Sequence, residues 1–435
     1  MQRQAYQFLL KWKSSPNRKP LIIQGARQVG KTWIMKEFGR CEFQQTAYFN
    51  FELSPELSMI FKHGFDTKRI ISSLEIHFGK HIDPVNTLIV FDEIQACPDA
   101  ITSLKYFYEN APEYHIFGAG SLLGVAIHHG VSFPVGKVDF FALFPLSFHE
   151  YLDAVGADGL LNTIKNEQLD VLSPFKELLT EHLKRYLFLG GMPEVVHEFI
   201  KSGDFIRARE LQLNIIRAYE NDFSKHAPIS QLPKIRMIWQ SIVGQLAKEN
   251  SKFIYGILRT GARAKDFETA IDWLKDAGLI HKVVRISKAG IPITAYADWA
   301  SFKIYLSDVG LLGAMSGISQ KALIDGNRLF EEFKGILTEQ YVCQTLINQS
   351  YIGYYWTPDG GKSEVDFVIQ KHDKVVPIEV KSADNVRSRS LKVYYEKYMP
   401  TECVRASLND YEIQSWMKNI PLFYLQQWLN ENSSL

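Results

Sequence analysis

The sequence predicts an α/β protein with a parallel sheet near its amino terminus, a helical middle and a second α/β domain near its carboxyl terminus. The first sheet is predicted by PLIIQGARQVGKTWIMKEF, in which a glycine-rich loop joins an apolar strand to a helix. A second apolar strand, in TLIVFDEIQ, ends in two acids. Far along the chain, SEVDFVIQKHDKVVPIEVKSA places acids and a lysine on two strand-like runs, which predicts the second domain.

Composition limits what the chain can bind. Its 435 residues allow two to four domains. Lys and Arg number 49 against 48 Asp and Glu, so the net charge is +1 and any nucleic-acid binding must come from a local patch.

The four cysteines lie far apart without a C-x-x-C pair, which argues against disulfides or a cysteine zinc site and suits a reducing cytoplasm. No run approaches eighteen apolar residues, so we expect no membrane span.

The glycine-rich loop fits the phosphate-binding pattern G-x-x-x-x-G-K-S/T without a gap. Lys31 is expected to contact the β and γ phosphates of ATP, and the Thr32 hydroxyl to contact Mg²⁺. The residues expected to bind nucleotide are Gly25, Ala26, Arg27, Gln28, Val29, Gly30, Lys31, Thr32 and Trp33. A glycine-rich turn without function is the alternative, but the strand–loop–helix context favours a phosphate site.

Two acids follow the second apolar strand. Asp92 is expected to hold Mg²⁺ through water, and Glu93 to orient the water that attacks the γ-phosphate. The alternative is that both acids cap the following helix. The phosphate-binding loop upstream favours the catalytic interpretation.

A third strand, in YHIFGAGSLL, ends in a Gly-Ala-Gly-Ser turn. Ser121 would lie beside the γ-phosphate if this strand sits between the other two. A plain strand-to-helix turn explains the glycines nearly as well.

The chain resembles the AAA+ ATPases of the AAA_14 type that carry a carboxyl-terminal DUF4143 domain. The resemblance covers nearly the whole chain and rests on these segments, in order: GARQVGKT, YFNFELSP, LIVFDEIQ, GAGSLL, FFALFPLSFHEYL, YLFLGGMPEVV, IRAYENDF, FKIYLSDVGLLGAM and KGILTEQYVCQTL. It implies ATP binding, ATP hydrolysis and a P-loop AAA+ core, without a settled biological role. One position departs from the family, because Gly136-Lys137 stands where members usually carry Gly-Arg. If that arginine completes a neighbour's active site, we expect slow hydrolysis and self-association.

The middle of the chain predicts two further domains after the ATPase core at 1–150. Residues 151–227 have a helical pattern with a break at Gly190-Gly191, which is typical of a lid over the nucleotide or of a plain connector. In 228–318, helices precede a two-stranded ribbon, which predicts a winged helix. Its candidate reading helix carries basic residues but also four acids that would repel phosphate, so a packing or protein-binding role is favoured over DNA contact.

The last predicted domain, 325–435, has the order helix, hairpin, strand, helix. This order resembles the restriction-endonuclease-like nuclease fold, in which one helix acid and three strand residues converge on a metal ion. The matching positions here are Glu339, Asp366, Glu379 and Lys381, which form a candidate second metal site. The alternative is a salt bridge between Lys381 and Asp366 or Glu364 on a solvated sheet face.

Three uses of ATP remain open from the sequence. The chain could act on DNA or RNA, since residues 371–405 carry eight Lys and Arg against five Asp and Glu, together with tyrosines. It could instead be a conformational switch that binds a protein partner. It could also be a metal-dependent nuclease that the ATPase gates.

Overall fold

The computed structural model describes residues 3–120, 134–248, 251–321, 331–360, 363–382 and 388–431, with the backbone alone for 331–333. These residues form two compact units. The N-terminal unit runs up to Phe144 and also contains Asp276–Leu279. The C-terminal unit comprises Pro145–Lys275 and the residues from Ile280 onward.

A parallel sheet forms the centre of the N-terminal unit. Its described strands are β1 (Leu21–Gln24), β2 (Gln45–Asn50), β3 (Thr87–Asp92), β4 (His115–Ala119) and β5 (Asp139–Ala142). They lie in the order β2-β3-β4-β1-β5, and every neighbouring pair is parallel. The side chains of Leu21, Ile22 and Ile23 are fully buried, as expected where helices cover both faces of a parallel sheet. The predicted α/β core is confirmed.

Strand β4 lies between β1 and β3, which is the arrangement on which the prediction for Ser121 depends. Ser121 itself falls outside the described residues. The described helices of this unit are α1 (Ala5–Ser14), α2 (Lys31–Glu42), α3 (Ser58–Lys62), α4 (Thr67–Phe78) and α5 (Pro98–Asn110).

The C-terminal unit begins with helices. The helices from Phe148 onward are α6 (Phe148–Ala154), α7 (Asp158–Lys165), α8 (Leu169–Leu172), α9 (Lys176–Leu189), α10 (Pro193–Ser202), α11 (Phe205–His226), α12 (Leu232–Leu246), α13 (Tyr255–Leu258), α14 (Ala264–Asp276), α15 (Val309–Met315), α16 (Glu331–Asn348), α17 (Arg389–Tyr398) and α18 (Leu425–Asn430). Asp204 starts the longest of them by accepting hydrogen bonds from the backbone N–H groups of Ile206 and Arg207.

The chain turns sharply after α9, as the Gly190-Gly191 pair predicts. Gly190 has φ +70° and ψ −165°, a conformation that is essentially restricted to glycine. The Gly191 N–H donates to Asp308 Oδ2 at 2.6 Å, and the Leu311 N–H donates to Asp308 Oδ1 at 3.0 Å. Burial raises the pKa of Asp308 to about 6 in spite of these hydrogen bonds. One buried carboxyl group therefore fixes both the turn and the start of α15.

Replacing Gly190 by alanine should destabilise the protein strongly. A Cβ at this position would lie 2.1 Å from Asp308 Oδ1, and the backbone conformation is unfavourable for alanine. We expect a loss of at least about 3 kcal/mol in the free energy of unfolding. Gly203→Ala is the matched control, since Gly203 also has positive φ but a Cβ there meets nothing within 4 Å. Equal losses for the two variants in urea denaturation would contradict the role given to Asp308.

A mixed sheet forms the rest of the C-terminal unit. Its strands are β6 (Ile280–Ile286), β7 (Ala297–Leu306), β8 (Tyr354–Trp356), β9 (Val365–Lys371), β10 (Lys374–Val380), β11 (Val404–Ser407), β12 (Glu412–Ile413) and β13 (Lys418–Pro421). Their order in the part of the chain that the structure describes is β12-β13-β11-β10-β9-β8-β6-β7. The ribbon that predicts a winged helix, β6 and β7, is antiparallel as expected, but β6 also pairs in parallel with β8. The ribbon thus continues the carboxyl-terminal sheet, and the winged helix stays an interpretation.

The predicted carboxyl-terminal hairpin and third strand are present. Strand β9 pairs antiparallel with both β8 and β10. In the second pairing, Phe367 lies opposite Ile378, and Asp366 and Glu379 are the next residues along the two strands.

All four cysteines are free thiols, as the absence of a C-x-x-C pair predicts. Among the helices of the described residues, none is both long enough and apolar enough to span a membrane.

Candidate nucleotide-binding site and a second carboxylate cluster

The glycine-rich loop joins the end of β1 to the start of α2. Gly25 and Gly30 have φ values of +148° and +96°, which side chains rarely adopt. A Cβ on Gly25 would lie 2.2 Å from the carbonyl oxygen of Leu143, so this backbone approach requires glycine. Because Gly30 immediately precedes α2, the first N–H groups of the helix face the loop, as in anion sites at helix N-termini.

Lys31 is held inside the loop. Its side chain is buried, and its Nζ donates to the carbonyl oxygens of Gly25 and Ala26, both at 2.8 Å. Burial lowers the pKa of Lys31 to about 8, although Glu93 and Asp92 act in the opposite direction. The ammonium group is held only by neutral carbonyl oxygens. A polyphosphate bound beside it would stabilise its positive charge.

The hydroxyl of Thr32 lies beside the carboxylate of Asp92. Thr32 Oγ1 donates to Asp92 Oδ2 at 2.8 Å, and the Tyr48 hydroxyl donates to the same oxygen at 2.6 Å. Asp92 is buried at the end of β3. A hydroxyl and a carboxylate at this spacing are oxygen ligands of the kind that Mg²⁺ takes. The residues therefore fit the metal ion that accompanies ATP.

Glu93 follows Asp92 in a left-handed conformation, with φ +50°. Gln95 Nε2 donates to Glu93 Oε2 at 2.6 Å, and the Glu93 N–H donates to Asp92 Oδ1 at 3.0 Å. Neither contact is that of a helix cap, because the side chain of Glu93 makes no capping hydrogen bond to the following 3₁₀ turn. Gln95 therefore fixes the direction of the carboxylate that is proposed to orient water.

The remaining predicted loop residues differ in exposure. Val29 is buried, Trp33 is half exposed, and Gln28 has φ +66°. Sequence analysis missed Arg3, whose guanidinium donates to the carbonyl oxygens of Val29 at 3.0 Å and Phe144 at 2.6 Å. Arg3 thus stabilises the conformation of the loop, although no local sequence pattern indicates this role.

Two further residues bear on this unit. Gly278 has φ +73°, and a Cβ there would lie 3.1 Å from the backbone nitrogen of Ala26, so the short segment around it contacts the loop closely.

Lys137, the residue predicted to depart from the usual arginine of the family, forms an ion pair with Glu109 at 3.0 Å. Both side chains of that pair are about one third exposed.

The C-terminal unit brings the four other predicted residues into one carboxylate cluster. Glu339 lies on α16, Asp366 on β9, and Glu379 and Lys381 at the end of β10. Asp366 Oδ2 accepts the Val380 N–H at 2.7 Å. Lys381 Nζ pairs with Glu379 Oε1 at 2.7 Å, on its own strand. The alternative salt bridge from Lys381 to Asp366 or Glu364 is not formed, since Lys381 pairs with Glu379 and Glu364 pairs with Lys303.

Two further members of the cluster, Lys303 and Tyr305, were not predicted, and Glu364 was predicted only as an alternative salt-bridge partner of Lys381. Lys303 is 1% exposed, and its Nζ lies 2.5 Å from Glu364 Oε1 and 3.9 Å from Glu339 Oε2. The Tyr305 hydroxyl donates to Glu339 Oε2 at 3.1 Å. Lys303 and Tyr305 are two residues apart on β7 and so share a face. A lysine inside the apolar run of FKIYL is the signal that could have found them.

Electrostatics in the cluster follow from burial. Burial raises the pKa of Glu379 to about 8, with Asp366 and Glu339 adding to the effect. Burial also raises the pKa of Glu339 to about 7, against the attraction of Lys303. For Lys381, burial acts to lower the pKa, but the facing carboxylates raise it overall. Over the described ranges, no three His, Cys, Asp or Glu side chains are arranged to hold a metal ion.

The loop, its lysine and the Asp-Glu pair at the end of another parallel strand of the same sheet place the N-terminal unit among the P-loop nucleoside triphosphatases. Residues 17–152 match the family model of the AAA domain, AAA_14. Residues 334–425 match the domain of unknown function DUF4143, and residues 180–322 match the domain of unknown function DUF8612. The chain therefore carries an AAA domain near its amino terminus and a DUF4143 domain near its carboxyl terminus, and the predicted resemblance is confirmed.

Similarity to solved structures is distant. The Walker-type ATPase of Pyrococcus abyssi is 15% identical with a TM-score of 0.45, over 72% of this chain and 95% of that one. Cdc6p from Pyrobaculum aerophilum is 11% identical with a TM-score of 0.25, over 74% of this chain and 94% of that one. No curated protein matches the chain.

Proposed function

We propose that this chain is a Mg²⁺-dependent ATP hydrolase. The observation that carries the proposal is the pair of contacts around Asp92, in which Thr32 of the loop and the end of β3 present two oxygens 2.8 Å apart. The AAA domain indicates ATP binding and hydrolysis in general terms. The loop geometry supports assigning those activities to Lys31, Thr32, Asp92 and Glu93.

Each residue has a separate task in the proposed mechanism. Lys31 exchanges its two loop carbonyls for phosphate oxygens, while the N–H groups at the start of α2 face the same phosphates. Mg²⁺, when bound, neutralises charge that develops on the phosphates, and Thr32 and Asp92 would hold it. Glu93, directed by Gln95, orients the attacking water and accepts its proton. Ser121 remains a candidate for contact with the γ-phosphate.

The domains of the chain suggest what ATP hydrolysis drives. We favour a conformational switch in which the bound nucleotide determines the conformation of the C-terminal unit. That unit would bind another macromolecule. The closeness of the segment around Gly278 to the loop supports a link between nucleotide binding and that segment. A protein partner is favoured over DNA or RNA, because the net charge is only +1 and α14 carries Asp266, Glu268 and Asp272. A cytoplasmic location stays a prediction.

The deciding experiment measures ATP hydrolysis by the purified full chain with and without DNA or RNA. Hydrolysis without added partner, absent in Asp92→Asn, supports the ATPase proposal. Stimulation by nucleic acid would reverse the preference for a protein partner. If Lys137 limits a shared active site, specific activity should rise with protein concentration, and Lys137→Arg should raise it further.

Proton uptake provides an independent prediction for Lys31. At pH 8 this lysine, with a pKa of about 8, is half protonated, and nearby phosphates raise its pKa. MgATP binding at pH 8 should therefore take up about half a proton, and binding at pH 6.5 almost none from this group. Calorimetry in buffers of different ionisation enthalpy measures the uptake. Uptake that does not increase between pH 6.5 and pH 8 would contradict the buried, weakly basic lysine.

A further inference from the structure

The carboxylate cluster of the C-terminal unit contains a buried cation of its own. Lys303 is anchored in the middle of β7, and its ammonium group pairs with Glu364 at 2.5 Å and faces Glu339 at 3.9 Å. The attraction of Glu339, Glu364 and Asp366 outweighs burial and raises the pKa of Lys303, so it stays charged. A charged lysine without such partners would not be tolerated at 1% exposure.

Each carboxylate of the cluster already has an internal donor. Glu364 accepts from Lys303, Glu339 from Tyr305 at 3.1 Å, and Asp366 from the Val380 N–H at 2.7 Å. Glu379 Oε1 pairs with Lys381 at 2.7 Å, while its Oε2 is buried without a partner among the described residues. Mg²⁺ requires several oxygens in nearly octahedral geometry, and no three acidic side chains of the described residues are arranged to provide that set.

We propose that the ammonium group of Lys303 is the fixed cation of this cluster, and that the C-terminal unit therefore binds no divalent metal ion there. A nuclease-like domain would use a divalent ion to balance the same carboxylates. Here the ammonium group of a side chain occupies that place beside Glu364 and Glu339, and no three metal-binding side chains of the described residues are arranged to hold an ion. The cluster then serves to fix α16 against β7, β9 and β10, and not to cut phosphodiesters. ATP hydrolysis at the glycine-rich loop plays no part in this inference.

The test uses Mn²⁺ as the probe, titrated into the nucleotide-free full chain and followed by electron paramagnetic resonance. The main variant is Lys303→Met/Glu364→Gln, which removes both charges of the closest pair and so leaves the net charge of the cluster unchanged. This variant keeps the carboxylates of Glu339, Asp366 and Glu379, which could then bind Mn²⁺. Lys371→Met is the matched control, because it removes another largely buried lysine of the same sheet, one that donates to the carbonyl oxygen of Trp428.

We expect no nucleotide-independent Mn²⁺ site in the wild type or in Lys371→Met. The Lys303→Met/Glu364→Gln variant should gain a site that binds at least about tenfold more tightly than any in the wild type. Adding Asp366→Asn to it should remove that site. The proposal is overturned if the wild type binds Mn²⁺ and Asp366→Asn abolishes the binding, or if the folded double variant gains nothing. Should the double variant fail to fold, the comparison of wild type with Asp366→Asn decides alone.

Discussion

Lys31→Ala should abolish tight ATP binding. Lys31 Nζ is the cation at the centre of the loop, and its two present partners are carbonyl oxygens that phosphate oxygens can replace. Hydrogen bonds to charged groups contribute about 1.5–3 kcal/mol each, so losing even one should raise the Kd by about 10- to 100-fold. Calorimetric titration with MgATP measures the change.

Lys68→Ala is the control for that measurement. It removes the same charge from an exposed position on α4, in the same unit, and should leave the Kd unchanged. Thermal unfolding of both variants separates lost binding from lost folding, since Lys31 is buried. If the folded Lys31→Ala variant bound MgATP as tightly as the wild type, the assignment of the loop as a phosphate site would be wrong.

Glu93→Gln should preserve ATP binding and slow turnover by at least roughly a hundredfold. Glutamine keeps the shape of the side chain but loses the negative charge that orients and deprotonates water. The variant should therefore accumulate the ATP-bound form, which single-turnover kinetics can detect. The Kd for MgATP should stay within about threefold of the wild-type value, because the hydrogen bonds of Glu93 go to Asp92 and Gln95 and not to Lys31 or Thr32.

Glu113→Gln makes the same chemical change at an exposed position of the N-terminal unit and should hydrolyse ATP at the wild-type rate. If Glu93→Gln were equally fast, the water would have to be oriented by another group. Glu93 would then be a structural residue held by Gln95.

The geometry of the glycine-rich loop could be predicted almost completely because the loop is local in the sequence. A strand, a turn with two glycines and a helix follow one another within residues 21–42, so the loop geometry is fixed by neighbouring residues. The position of Asp92 also follows from sequence, since the carboxyl ends of parallel strands lie at the same edge of a sheet. The supporting contacts of Tyr48, Gln95 and Arg3 were not predicted. Arg3, for example, reaches the carbonyl oxygen of Phe144, which is 141 residues away.

The carboxyl-terminal region shows the opposite balance. Alternation and strand order predicted that Asp366 and Glu379 would lie on paired strands, and the residues beside them, Phe367 and Ile378, lie opposite each other in the register of β9 and β10. The pattern could not supply the partner of Glu364, because Lys303 lies 61 residues earlier on a strand that the sequence placed in another domain. The parallel pairing of β6 with β8 brings that strand into the same sheet.

The sequence by itself determined that this chain has a P-loop α/β core, which residues line the loop, and which acids follow the apolar strands. Those features depend on periodic burial and on residues close together in the chain. Only the tertiary structure decided that the ribbon β6–β7 continues the carboxyl-terminal sheet, and that Lys303 is the cation among the carboxylates. Both depend on which distant segments pair as the chain folds. A buried charge has no periodic signature that names its partner, because the partner is chosen by distance in space.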